Sequence, residues 1–364
     1  MQPIPLVSGW NLQPFAEFLR GIGAPVERWL VEARIPPDEL VEPDRPVPLR
    51  HVLNFVDRAA RAEGAESLGI DVGRQTAADG QGAFGAALAR CVTLYDRVQT
   101  SGRLLSRSNN CQSIWLERDG ADVRIHSRID YPHEPHRRHG DDFTLMVMLE
   151  AVARAAAPGW KPQAIYLPGT RPQRFARDEL FQGVQMVYGG PYVTIVFSAD
   201  LLARPLRPLS PAAGVSAHAP AGSLPEREMP ADFLRSLEAS AASVLPIGCP
   251  SVRDLADMAG TTPRTLQRRV AACGTSLREV VDRARFRTAR GWLGDPFASV
   301  TDIALRLGYS DSTAFTRAFR RLAGMPPSTY RKQLMDSVTP ARRELSGGTS
   351  GLLPASYARL SRHE

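Results

Sequence analysis

The sequence is short of lysine. Of its 45 basic side chains only Lys161 and Lys332 are lysines, so its positive charge is almost wholly arginine, a composition that names no partner by itself. Cysteine is scarce as well. Cys91, Cys111, Cys249 and Cys273 lie far apart and make neither a Cys-x-x-Cys pair nor a zinc-ligand spacing, so reduced thiols are expected rather than a disulfide framework. No run reaches the roughly 18 apolar residues of a membrane span. The opening "MQPIPLVSGW" lacks the basic start and long apolar stretch of a secretory leader. A cytoplasmic protein with no membrane partner is expected. No Gly-x-Ser-x-Gly elbow or nucleophile–base pattern occurs, so an enzyme is not expected, nor a cofactor.

What is present is unevenly placed charge. Sixteen of the 45 basic and ten of the 38 acidic residues fall between Ala231 and Asp336, a surplus of six in a chain of 364 residues and net charge +7. A third of the chain thus carries nearly all the excess, which points to a polyanion partner for that segment and another task for the rest. The length allows two domains with their own cores.

Proline, alanine, glycine and serine dominate "PLRPLSPAAGVSAHAPAGSLPEREMP", and residues 205–230 read as a semi-stiff linker. Residues 1–204 mix patterns. "FAEFLRGIG", "VERWLVEAR" and "PLRHVLNFVDRAARAEG" have helical spacing, the last with Pro48 placed to start it. "GAFGAALARC" and "TLYDRVQTSGRLLS" follow, Thr93 serving as an N-cap. "QSIWLER" and "ADVRIHSRI" flank Asp119-Gly120, a hairpin signal. "DDFTLMVMLEAVARAA" reads as a helix, and "PQAIYLP", "VQMVYGG" and "YVTIVFSA" as strands. The expected architecture is multidomain. An α+β N-terminal domain with a largely antiparallel sheet precedes an all-α C-terminal domain at 231–336 and a flexible tail at 337–364. Helices are expected near 232–245, 251–259, 262–272, 276–293, 299–306, 311–322 and 327–335.

The C-terminal segment contains a repeat. "DLADMAG" (Asp254–Gly260) aligns with "DIALRLG" (Asp302–Gly308), and "TLQRRV" with "AFTRAF", so that Arg268 matches Arg317. A short helix with alanine at its centre, a glycine turn and a hydroxyl-capped second helix make a helix-turn-helix. One match is a weak signal because helix pairs are common; two inside the basic third are strong. Projected at 100° per residue, Leu266, Val270 and Cys273 face inward in the first repeat, with Arg264, Gln267 and Arg268 outward and Thr265 beside them. In the second, Phe315, Ala318, Phe319 and Leu322 face inward; Thr313, Thr316, Arg317 and Arg320 face outward, with Ser312 at the edge. Arginine can bond guanine bidentately, glutamine adenine, and threonine offers a methyl and a hydroxyl, while some of these contacts will serve phosphates. The plain alternative is a solvated helix face. Arg269 and Arg321, on the flanks, suit phosphates or ion pairs. The helix "SLREVVDRARFRTARGWL" between the repeats would be about 27 Å long, able to hold two reading helices about one DNA turn apart.

These residues resemble the DNA-binding domain of AraC/XylS-type bacterial transcription regulators. The resemblance rests on "DLADMAGTTPRTLQRRVAACGTSL", on Arg285 with Ala289 and "WL", and on "VTDIALRLGYSDSTAFTRAFRRLAGMPPSTYR", whose Gly-x-x-Pro-Ser-x-x-Arg ending is specific. The chain departs from the pattern at Val270 and Ala271, where the family has Phe and Lys, and at Val281, where it has an aromatic. More weakly, "LGIDVGRQTAADGQGAFGAALARCVTLYDRV" and "VQMVYGGPYVTIVFSADLLARPL" resemble the effector domain of an ornithine-regulator-like branch rather than a cupin barrel. The resemblance implies a ligand-responsive regulator of double-stranded promoter DNA with an unidentified small-molecule effector. It further implies a second copy as partner and activation through RNA polymerase. An enzyme with an accessory DNA-binding domain and an architectural DNA binder are the alternatives.

Other signals are weaker. His133, His136 and His139 recur every three residues near His126, but in a proline-broken, arginine-flanked segment that reads as a solvated loop, so no metal is expected. "GQGAFGAAL" lacks the strand and lysine of a phosphate loop. Trp115, Tyr166, Tyr188 and Tyr192 suit core packing better than a pocket wall.

Overall fold

The computed structural model describes all residues except 41–42, 77, 133–134, 170–174, 176–177, 209–227 and 346–364. The chain divides into two compact units, Met1–Arg285 and Phe286–Glu364.

The first unit opens with strand β1 (Leu6–Ser8), helices α1 (Gln13–Gly21) and α2 (Val26–Glu32), strand β2 (Pro46–Pro48) and helix α3 (Leu49–Ala62). β1 and β2 pair antiparallel, Val7 opposite Val47. This pair was not expected, because three residues are too few to show a strand period. Leu49, Val52, Leu53 and Val56 recur at helical spacing on α3, and they share one buried cluster with Phe15 and Leu19 of α1 and Leu30 of α2. Helices α4 (Leu68–Gln75), α5 (Gly82–Leu88) and α6 (Leu94–Ser108) follow. Thr93 caps α6 as expected, its hydroxyl accepting from the Asp96 N–H at 3.1 Å and so satisfying one of the helix's unpaired donors.

A hairpin of β3 (Gln112–Asp119) and β4 (Asp122–Ile129) turns at Gly120, whose φ is +62°. Helix α7 (Arg138–Ala155) comes next, then β5 (Ala164–Leu167), β6 (Gln185–Tyr188) and β7 (Val193–Ser198). The sheet order is β3-β4-β7-β5-β6, and only β5–β6 is parallel. One face, with Val123, Ile125, Ile165, Ile195 and Phe197, is buried in a cluster with Leu145, Leu149 and Val152 of α7. Helix α4 crosses α7 at two glycines. A Cβ on Gly69 would stand 2.3 Å from the His139 carbonyl oxygen, and one on Gly73 would stand 2.6 Å from Met146 Cβ.

The solvated loop expected around the histidines is corrected here. His133 lies outside the described residues, but His139 is in α7 and 0% exposed. Its Nδ1 accepts from the Gly69 N–H at 3.4 Å. The helix starts before the acidic pair expected to open it, since Asp141 (buried) forms an ion pair with Arg137 one turn back.

Both ends of the proline-rich stretch are fixed to this body. Leu206 N–H donates to Val92 (2.8 Å) and Met229 N–H to Ser106 (2.8 Å). Helix α8 (Phe233–Val244) is then held by the Ile4 N–H on Ser236 Oγ at 2.8 Å and by Asn110 Nδ2 on the Pro230 carbonyl at 2.6 Å. Leu6, Met229 and Ala239 bury each other beside these bonds. Helices α9 (Val252–Met258), α10 (Pro263–Ala272) and α11 (Leu277–Trp292) follow, the division between units falling inside α11. The second unit continues with α12 (Val300–Arg306), α13 (Ser312–Ala323) and α14 (Pro327–Leu345), the last running past its expected end near residue 335.

Candidate DNA-reading surface and effector cavity

The two repeats are built alike down to their hydrogen bonds. Helix α9 is capped by Ser251, which accepts from the Asp254 N–H while Asp254 accepts from the Ser251 N–H. Helix α12 is capped by Ser299, accepting from the Asp302 N–H at 2.9 Å. The aligned Asp254 and Asp302 therefore hold the same place in the first turn. Each helix ends on a glycine at positive φ, Gly260 (+58°) and Gly308 (+76°), a conformation costly for other residues. In the turns, Gly260 N–H reaches the Asp257 carbonyl and Thr261 N–H that of Ala256. Likewise Gly308 N–H reaches the Leu305 carbonyl and Tyr309 N–H that of Ala304. Ala256 and Ala304 are 1% and 0% exposed; a larger side chain there would push the second helix away.

The second helices are capped in turn. Thr262 Oγ1 accepts from the Thr265 N–H, and Asp311 accepts from the Ala314 N–H at 2.7 Å. That Ala314 N–H, then the Ser310 hydroxyl, hold the Asp311 carboxyl below its ordinary pKa.

The outward faces lie largely where the projection puts them. Arg264, Gln267 and Arg268 are exposed and Thr265 is half-buried, with Leu266 and Val270 buried beneath. Thr313, Arg317 and Arg320 are exposed, and Ser312 and Thr316 half-buried. Thr316 spends its hydroxyl proton inside the helix, donating to the Ser312 carbonyl at 2.7 Å, so it offers solvent a methyl and oxygen lone pairs. Phe315 and Phe319 anchor α13 from below, in ring contact with each other and with Tyr309, Phe286 and Tyr330. The inward placing of Leu322 is corrected: it is 40% exposed, because the packed stripe ends at Phe319, one turn before the helix stops at Gly324. The arginine of the specific ending, Arg331, is structural, donating to the Ala298 carbonyl at 2.6 Å.

The N-terminal part encloses a cavity of about 120 Å³ between α5, α6, α7 and the inner face of β3 and β4. Its walls are mainly apolar, among them Phe84, Val98, Leu105, Phe143 and Val147, with Asn11, Gln81, Ser101, Gln112, Ser127 and Thr144 supplying neutral polar groups. Among the described residues the one charged lining group is Arg97, 2% exposed and paired with Asp79, which also takes Arg154 at 2.9 Å. Arg97 further donates to the Leu88 carbonyl at 3.2 Å. Beside this group burial raises the Glu150 carboxyl above its ordinary pKa, against the pull of Arg97 and Arg154.

The sequence did not mark these cavity residues, because they come from elements far apart in the chain. Of the aromatics considered, Trp115 and Tyr192 instead pack with His126, at ring distances of 4.9 Å and 5.1 Å from Trp115. His126 bonds Thr194 and Glu117, and burial lowers its pKa. In "GQGAFGAAL", Gly85 packs where a Cβ would lie 2.4 Å from the Asp79 carbonyl oxygen.

Residues 23–206 match the arabinose-binding N-terminal domain of AraC transcription regulators, and residues 255–333 match a helix-turn-helix domain. The HTH-type transcriptional regulator VirS of Mycobacterium tuberculosis is 25% identical over 336 residues, covering 90% of this chain and 96% of its own. The ornithine utilization regulator of Pseudomonas aeruginosa is 37% identical over 83 residues, 23% of this chain and 24% of its own. The crystal structure of the transcriptional regulator CdpR from Pseudomonas aeruginosa aligns over 89% of this chain and 98% of its own, with 21% identity and a TM-score of 0.39. The chain belongs to the AraC family of transcription regulators, with an effector-binding N-terminal domain and a DNA-binding helix-turn-helix domain.

Proposed function

We propose that the protein is a ligand-responsive, sequence-specific regulator that acts as an activator through contact with RNA polymerase and works as a cytoplasmic homodimer. Its parts are an effector body at 1–204, a linker at 205–230, a DNA-binding domain at 231–336 and a tail beyond. The observation that carries the reading is the duplicated outer face. Arg264, Thr265, Gln267 and Arg268 on α10, and Ser312, Thr313, Thr316, Arg317 and Arg320 on α13, crown two helix-turn-helix units of one construction. The units enter successive major grooves of promoter DNA, with Arg268 and Arg317 as the leading base readers.

The effector occupies the cavity between α6, α7 and the sheet. Arg97 is neutralised by Asp79, and the remaining polar lining carries no charge. That chemistry suits a small neutral molecule with an apolar body and one or two hydroxyl, carbonyl or amide groups. Its binding shifts the protein between DNA-competent arrangements to the extent that it prefers one of them. The experiment is binding of the full chain to fragments of the source genome. Enrichment of fragments sharing one motif supports the regulator, and uniform occupancy would sink it in favour of an architectural binder.

A further inference from the structure

Three amide side chains line the inner cavity between α5, α6, α7 and the sheet, and two of them are already bonded. Gln112 Nε2 donates to Ser127 Oγ at 2.9 Å, and its Oε1 accepts from Asn109 Nδ2 at 3.4 Å. Asn11 Nδ2 donates to the Ser8 carbonyl at 3.3 Å and to Ser108 Oγ at 3.4 Å. The third, Gln81, is only 9% exposed, yet its carboxamide makes no hydrogen bond among the described residues. A buried amide left unpaired costs free energy that an apolar side chain of the same size would not.

The backbone around Gln81 is fixed. Its N–H donates to the Ala78 carbonyl at 3.1 Å, and its carbonyl accepts from the Gly85 N–H at 2.9 Å. Gly82 follows at φ +55°, where a Cβ would stand 2.4 Å from Trp10 Cε2, and Trp10 is itself tied to Asp44 at 2.8 Å. The glycine-rich start of α5 thus holds Gln81 in place at the cavity wall. We propose that Gln81 is the polar anchor of the effector, and that the effector carries a primary carboxamide on a compact apolar body. This role rests on the reading of the cavity as the effector site. A carboxamide sets a donor and an acceptor side by side, and a second carboxamide answers both in a closed pair of hydrogen bonds. A ketone answers only the donor. A carboxylate sets an oxygen against the Gln81 oxygen and must shed its water in a mainly apolar space; Arg97, which also lines the cavity, is already taken by Asp79. Ser101 and Thr144 can each add one hydroxyl contact, and Phe84, Phe143 and Val147 face the apolar body. The volume of about 120 Å³ limits the ligand to about six to eight non-hydrogen atoms, since an apolar cavity of roughly 150 Å³ holds one benzene.

The test uses three molecules of one shape: isovaleramide, isobutyl methyl ketone and isovalerate. Each is titrated onto the full chain, and binding is read from the rise of the thermal midpoint with concentration. Isovaleramide should bind about tenfold or more tightly than the ketone, although the ketone is the less polar of the two, and isovalerate should bind more weakly than either. In Gln81→Leu the amide should lose about tenfold or more in affinity, while the ketone is held as before. Without ligand the same variant should unfold at a higher temperature than the parent, because it removes the unpaired amide. The ligand class is overturned, with the cavity reading left standing, if the ketone or isovalerate binds as well as isovaleramide, or if Gln81→Leu keeps the amide preference. A lower midpoint for unliganded Gln81→Leu would show the carboxamide already satisfied and overturn its role as anchor. If none of the three molecules binds, the cavity reading falls with the proposal.

Discussion

Arg34 Nη1 stands 2.9 Å from Asp254 Oδ2, so the effector body grips the first helix of the first repeat at its N-terminal turn. Arg34 follows α2 with φ +58°, the only non-glycine residue at positive φ among those described. That post-helical position favours glycine. Its neighbour in this contact, Arg50, pairs with Asp257 three residues further along the same helix face. Burial alone would raise the Asp254 carboxyl, but the Ser251 N–H and hydroxyl and the Arg34 guanidinium outweigh it and hold its pKa below the ordinary value.

Arg34→Gly separates the backbone from the side chain. Removing the left-handed strain should offset the lost ion pair, which is part-exposed and worth about 1 kcal/mol or less. The thermal midpoint should therefore change little, while hydrogen exchange at 252–258 speeds up as the grip loosens. Combining the change with Arg50→Ala should speed it further. Unchanged exchange in the double variant would show that these pairs do not hold the helix.

His51 supports the same corner, with a hydrogen bond to the Arg34 backbone. Burial pushes its imidazole down to about 4, against the opposite pull of Asp257 and of that hydrogen bond. The unfolded chain takes up the proton near pH 6.5 and the folded protein only near 4. The neutral fold is thus fully favoured above about pH 6.5 and loses up to about 3 kcal/mol as pH falls toward 4. Thermal midpoints measured between pH 7 and 4.5 should fall more steeply for the parent than for His51→Gln. Equal slopes would show that His51 is not the titrating group.

The ion pair of Arg97 and Asp79 is buried on both sides, at 2% and 5% exposure. Arg97→Met keeps volume but leaves Asp79 with Arg154 alone. We expect a loss of about 3 kcal/mol, read as a lower thermal midpoint of the effector body. A loss below about 1 kcal/mol would mean that Arg154 suffices to compensate the aspartate.

Gly260→Ala and Gly308→Ala should each cost about 1–2 kcal/mol, and by similar amounts, because the two turns share one φ region and one hydrogen-bond pattern. The open space around Gly260 leaves the backbone as the source of its penalty. Thermal unfolding of each variant checks this; a neutral result at both would remove the turn conformation as the reason for glycine.

The repeat was legible because its signals are local. Ser251 and Thr262 cap as hydroxyls before helical runs do, Gly260 and Gly308 close helices, and the outward arginines follow from a single angle per residue. The five strands of the larger sheet and the Asp119-Gly120 hairpin were legible for the same reason; the three-residue pair β1 and β2 was not. The inner cavity was not. Asn11, Gln81, Arg97 and Ser127 converge only once three helices and a sheet have packed, and Arg97 reads in sequence as an ordinary surface arginine of a helix. His139 reads as a loop residue beside Pro132 and Pro135, yet the glycines of α4 draw it into the core. Arg34 gives no signal at all, since its position favours glycine and its partner Asp254 is 220 residues away.

The proposed role of α10 and α13 is to read base sequence. It is tested most directly by the dissociation constants of parent, Arg268→Ala and Arg317→Ala for a fragment selected from the genome and for unrelated DNA at one fixed salt concentration. Each variant should lose about 1–3 kcal/mol on the selected fragment and much less on unrelated DNA. Equal losses on both DNAs would make the two arginines phosphate contacts, and unchanged binding to the selected fragment would place the reading face elsewhere.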